Sequence, residues 1–131
     1  VSLERINPEE LAAPIGFSHA VRTSGRTVYL AGQTALNADG VIIGAGIVEQ
    51  FEVALGNLMT ALRTAGGGGE HLAKVTIFSV DPVDYRAHAR DLGAIWRRLV
   101  GRDYPAMTLV GVTRLWDDAA VVEIEGIAIL P

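Results

Sequence analysis

There is no cysteine among the 131 residues of this chain. Disulfides, thiolate nucleophiles and cysteine-ligated zinc are therefore excluded, and the composition is compatible with a reducing compartment. Cations are also short: 11 Lys and Arg stand against 15 Asp and Glu, a net charge of −4. Phosphate binding rests on clustered Lys and Arg, so nucleic acid is not an expected partner. No apolar run approaches the about 20 residues of a membrane span, so no membrane partner is expected. The first residues, Val1-Ser2-Leu3-Glu4-Arg5, carry no hydrophobic signal region, and a cytoplasmic location is the expectation. Gly66 to Gly69 follow a helical pattern and lack the Lys-Ser/Thr ending of a phosphate loop, so they read as a flexible connector. His71 and His88 sit on polar faces with no i,i+4 partner of ligand type, so no metal site is expected. No cofactor is expected either.

Half of the residues are hydrophobic, which argues against disorder. A chain of this length buries about 68% of its unfolded surface, enough for one core, so residues 1–131 are read as a single domain. His19 to Thr23 and Val28 to Gln33 read as a hairpin around Ser24-Gly25-Arg26. Asn37 to Gly40 forms a second turn, followed by a short strand from Val41 to Ile43. Phe51, Leu55, Leu58 and Leu62 fall at helical spacing within Ile47 to Ala65. Lys74 to Val80 is a β-branched run and hence a strand. Asp81-Pro82 starts a second helix, with Asp as N-cap and Pro at the first helical position. Its stripe is Tyr85, Ala89, Leu92, Trp96 and Leu99. Ala106 to Val112 and Ala120 to Leu130 are the final strands.

The predicted order is β-β-β-α-β-α-β-β, an α+β domain with a mixed sheet and two helices packed on one face. On the last strand, Val122, Ile124, Ala128 and Leu130 share one side, whereas Glu123 and Glu125 share the other with Ile127 and Ile129. Two helices cover one face of such a sheet. The other, part polar and part apolar, is expected to meet another subunit.

The chain resembles the RidA family, also called YjgF or L-PSP, over nearly its whole length. The resemblance rests on Ser18-His19-Ala20, Ala31-Gly32-Gln33, Glu49-Gln50, Asn57-Leu58, Lys74 to Phe78, Asp84-Tyr85, Tyr104-Pro105-Ala106, Arg114-Leu115 and Glu123-Ile124-Glu125, in that order. It implies a chorismate-mutase-like fold and a homotrimer with small-molecule clefts at the subunit interfaces. It also implies hydrolysis of enamines and imines of the 2-aminoacrylate type, releasing ammonia. For that chemistry an arginine fork holds the substrate carboxylate and a carboxylate activates water.

Several positions depart from the family pattern. Where the resemblance places the arginine, directly after Pro105-Ala106, this chain has Met107, a soft apolar surface. Phe17 stands for a tyrosine, Ala31 for a serine and Ala89 for an asparagine. Glu123 keeps the carboxylate, and two readings stand for it: general base, or structural carboxylate at an interface. The candidate site is thus Glu123 as catalytic residue, with Phe17, Ala31, Met107 and Leu109 binding substrate. His19 reads as a satisfied edge residue, Arg114 as structural, and Arg97, Arg98 and Arg102 as complements to a helix dipole. Three functions remain open. One is a divergent hydrolase or binder with an apolar cleft and little 2-aminoacrylate activity. Another is a deaminase that recruits its cation elsewhere, and the third is a chaperone-like interaction protein.

Overall fold

Burial alternates strictly along the last strand. Val122, Ile124, Gly126, Ala128 and Leu130 are buried, whereas Glu123, Glu125, Ile127 and Ile129 retain exposure. That is the pleat expected of a strand with one face on a core. The computed structural model describes residues 3–131, so Val1 and Ser2 lie outside the described residues. In chain order its elements are β1 (Glu4–Ile6), β2 (Ala20–Arg22), β3 (Arg26–Gln33), α1 (Ile47–Thr64), β4 (Leu72–Ser79), α2 (Pro82–Ala87), α3 (Ala89–Leu99), β5 (Ala106–Gly111) and β6 (Val122–Leu130). The fold is α+β.

The main sheet has the order β3-β6-β4-β5. β6 runs antiparallel to both β3 and β4, and β5 runs parallel to β4. A parallel pair needs a long crossover, and α2 with α3 supplies it. α1 packs across β3 and β6 and against α3. Its stripe, Phe51, Leu55, Leu58 and Leu62, is almost wholly buried, with Val75, Ile124, Leu92 and Trp96 in the same core. Leu58→Ala should therefore destabilise the protein by about 2–5 kcal/mol in urea denaturation, the loss typical of a large-to-small change in a packed core. A loss below about 0.5 kcal/mol would be that of a surface residue and would contradict this helix phase.

α1 ends where Gly66 takes φ +96°. The Gly66 and Gly67 N–H groups donate to the Arg63 and Leu62 carbonyls, both at 3.0 Å, which satisfies the last turn. The rest of the glycine run is not the loose connector expected. Gly69 is buried in a short 3-10 turn, and a Cβ there would run into the Val100 carbonyl. Small size, rather than flexibility, is what this segment needs.

Three local expectations are corrected. β2 does not form a hairpin with β3; it pairs antiparallel with β1, and the exposed Glu4–Arg22 ion pair at 2.7 Å spans the two. Val41 to Ile43 contributes only an isolated bridge, Leu36 to Ile42, rather than a strand. The second helix is broken at His88, which has φ −105° and ψ 15° and is at once the C-cap of α2 and the N-cap of α3. There the His88 N–H is shared between the Asp84 and Tyr85 carbonyls, and the imidazole Nδ1 lies 2.9 Å from the Asp84 oxygen. Such side-chain competition for helix carbonyls accompanies breaks of this kind. The start of α2 is as expected: Pro82 opens it, and the Asp81 carboxylate accepts from the Asp84 N–H at 3.1 Å.

Candidate functional site

The register of β5 decides which candidate residues meet. β5 is an edge strand, with Met107 opposite Val75 and Leu109 opposite Ile77. Val75 and Ile77 are buried under the helices, so Met107 and Leu109 belong to that side of the sheet. Glu123 lies opposite Phe78, a residue of the other pleat phase, and so belongs to the open face.

Phe17 reaches Met107 because the preceding loop is tied to the start of β5. The Ser18 N–H donates to the Pro105 carbonyl at 2.9 Å, and the Ser18 hydroxyl donates to the Tyr104 carbonyl at 2.7 Å. Phe17, Met107 and Leu109 line one cleft of about 230 Å³, together with Ile77 and Tyr85. A second cleft of about 480 Å³ adjoins it. The two share Met107 and Tyr85, and the second is walled by Trp96, Arg90 and Arg97 of α3. Burial pushes the Tyr85 phenol up to about 12, so at neutral pH it is a protonated donor. Its ring meets Phe51 edge-on at 6.0 Å, which holds the hydroxyl in place.

The other two candidates share the far side of the sheet. The β3–β6 register slips between Leu30 and Gln33, so that Ala31 and Gly32 together face the single residue Glu125. A bulge of this kind re-aims side chains next to it. Glu123 fills the space that the missing Gly32 side chain leaves: a Cβ there would lie 2.9 Å from its Cδ and 3.0 Å from its Cγ. Ala31 is exposed and Glu123 half-exposed. Among the described residues no cation pairs with Glu123. A single chain thus brings Phe17, Met107 and Leu109 together but leaves Glu123 and Ala31 on the opposite face.

His19 and Arg114 are tied to their own surroundings and line neither cleft. The His19 ring lies 2.7 Å from the Ala12 carbonyl and edge-on to Phe17. Arg114 pairs with Asp118 at 2.6 Å and donates to the Leu115 carbonyl. His88 does have an i,i+4 partner of ligand type, contrary to expectation: its Nδ1 is 3.3 Å from an Asp84 carboxylate oxygen. The pair lacks a third ligand, and among the described residues no group of three acids or histidines is placed to hold a metal.

Arg90 and Arg97 were missed as cleft residues by sequence reasoning. The arginines at the end of α3 divide their roles. Arg98 pairs with Glu52 at 3.1 Å, whereas Arg97 turns into the cleft. The available signal was the i, i+3, i+7 spacing of Arg90, Gly93 and Arg97, contiguous with the apolar stripe of the helix.

Comparison with known proteins agrees with this architecture. A family profile described as endoribonuclease L-PSP matches residues 8–130. A RutC family protein of Synechocystis is 34% identical over 134 residues, covering 100% of this chain and 99% of that protein. A Capra hircus protein named 2-iminobutanoate/2-iminopropanoate deaminase is 30% identical over 126 residues, covering 95% of this chain and 88% of its own length. The crystal structure of YyfB from Yersinia pestis, a protein of unknown function in the conserved Rid family, matches with a TM-score of 0.87 at 34% identity, covering 99% of this chain and 100% of that one. No helix among the described residues is long and apolar enough to cross a membrane. With a profile match and relatives spanning nearly its full length, the chain belongs to the endoribonuclease L-PSP family, which holds the Rid and RutC proteins.

Proposed function

We propose that this chain assembles as a homotrimer in which a small-molecule site is completed between subunits, and that the site binds and slowly hydrolyses imines or enamines with an apolar body. One observation carries the reading. The carboxylate and the apolar cleft lie on opposite faces of the same sheet, Glu123 opposite Phe78 and Met107 opposite Val75. No single copy places them together, whereas a head-to-tail ring joins one copy's Glu123 face to the next copy's cleft. The open face also carries Tyr29, 80% exposed, and the half-exposed Ile127 and Ile129, apolar surface that a neighbouring subunit would bury.

The chemistry needs little. Glu123 takes a proton from water as the oxygen attacks the C=N carbon. The proton passes to nitrogen, the C–N bond of the carbinolamine breaks, and ammonia and a carbonyl compound leave. The relative named as an imine deaminase acts, by its name, on 2-imino acids, and Glu123 is the residue carried over from that pattern. No histidine lines either cleft, so the general acid and base that phosphodiester cleavage uses have no counterpart there, and the endoribonuclease activity in the family profile's description gains no support from this site. The cation-elsewhere reading gains from Arg90 and Arg97.

Mixing tests the assembly. Glu123→Gln and a cleft-blocking Phe17→Trp should each lose turnover of an imine generated in situ from leucine by an amino-acid oxidase. Refolded together in equal amounts, they should recover about a quarter of wild-type activity, the share of interfaces built from two intact halves. Light scattering should give a trimer. A stable monomer, or no recovery on mixing, would contradict the proposal.

A further inference from the structure

We infer that Arg97, assisted by Arg90, is an anion anchor in the larger cleft, and that this cleft takes an organic carboxylate with an apolar body. The inference rests on the proposed reading of this cleft as the ligand site, but it needs no catalysis by Glu123.

The geometry comes from the helix. Side chains on a helix tilt towards its N-terminus, so the Arg97 side chain runs back towards Arg90 across the position four residues earlier. That position is Gly93. A Cβ there would stand 3.2 Å from Arg97 Nη1, so the guanidinium lies over a residue that has no side chain to obstruct it. Arg90, three residues before Gly93, lines the same wall.

Charge points the same way. Two arginines and no acidic residue line this cleft, in a chain whose net charge is −4. The adjacent Arg98 is paired with Glu52. Among the described residues neither Arg90 nor Arg97 has an ion pair, and no side-chain hydrogen bond commits them elsewhere. A guanidinium is a fixed fork matched to a carboxylate. The rest of the wall is apolar. Ile15, 91% exposed, and the half-buried Met107 supply the surface against which a hydrocarbon body would lose water. A cleft of about 480 Å³ is of ordinary small-ligand size. A cation on one wall and a methionine on another select for both parts of such a ligand at once.

Isothermal titration calorimetry with three probes tests this on the full chain. Phenylpyruvate has both parts, pyruvate lacks the apolar body, and phenylacetone lacks the carboxylate. Phenylpyruvate should bind at least about fivefold tighter than either, and Arg97→Gln should weaken it at least about fivefold, since a charge-assisted two-point contact is lost. Arg97 is exposed, so the variant should keep the wild-type melting temperature. Gly93→Leu, which obstructs the guanidinium without removing it, should weaken phenylpyruvate too. A smaller loss in Arg97→Gln, or phenylacetone binding as well as phenylpyruvate, would overturn the inference; so would no detectable phenylpyruvate binding. Turnover is scored separately. Arg97-dependent binding without imine hydrolysis would remove the hydrolase reading and keep the anchor, and turnover without Arg97-dependent binding would do the reverse.

Discussion

Freshly generated 2-aminoacrylate should be hydrolysed by the wild-type protein at about a thousandth of the rate expected of a family member with arginine after Pro-Ala, or more slowly still. The cause is Met107. It lies in the apolar cleft beside Phe17 and Leu109 and has no charge to offer a carboxylate. Losing a two-point, charge-assisted contact removes binding and orientation together, and about 4 kcal/mol of that loss is already a factor of a thousand. Glu123 makes matters worse for this substrate, because a negative base repels an anion that nothing beside it neutralises. Arg90 and Arg97 do not substitute. They rise from α3, across the cleft from β5, away from the place beside β5 where the carboxylate of a short acid, adjoining the reacting carbon, would sit. A longer, apolar acid has the reach to use them. Met107→Arg should raise 2-aminoacrylate turnover, though Phe17, Ala31 and Ala89 keep it below a full complement of polar groups. Ammonia release by the unmutated protein as fast as by an arginine-bearing relative would sink this account.

What the sequence disclosed follows from where periodicity was strong. β6 showed its pleat because one face is a core, and α1 showed its stripe because Phe51, Leu55, Leu58 and Leu62 all meet the sheet. β1 was passed over because three residues, Glu4–Ile6, are too few to carry a pattern. The break at His88 has no glycine or proline to announce it; it is made by local bonds to the Asp84 carbonyl. Arg97 was visible but assigned to the helix dipole, a role that fits its position along the helix and ignores its angle around it. The separation of Met107 from Glu123 needed the strand register, since two strands far apart in sequence carry no information on which residues oppose each other.

Gly32→Ala should abolish most imine turnover while leaving the protein as stable as wild type. Position 32 has no left-handed φ to protect, and alanine suits a strand better than glycine does. The three atoms nearest the new methyl group all belong to the Glu123 side chain, which occupies its place: Cδ at 2.9 Å and Cγ at 3.0 Å would both be too close. A flexible carboxylate on a half-exposed position gives way at little cost, so the melting temperature should barely move. The carboxylate itself is then displaced from the bulge that aims it. A general base contributes about a hundredfold to ten-thousandfold and must stand within hydrogen-bond reach of its water, so displacement should cost much of that factor. Combining variants separates this from a general defect. In a Glu123→Gln background, Gly32→Ala should have no further effect on turnover, because the group it displaces no longer acts. Full activity in Gly32→Ala alone, or an additive loss in the pair, would show that Gly32 does not set the position of Glu123 for catalysis.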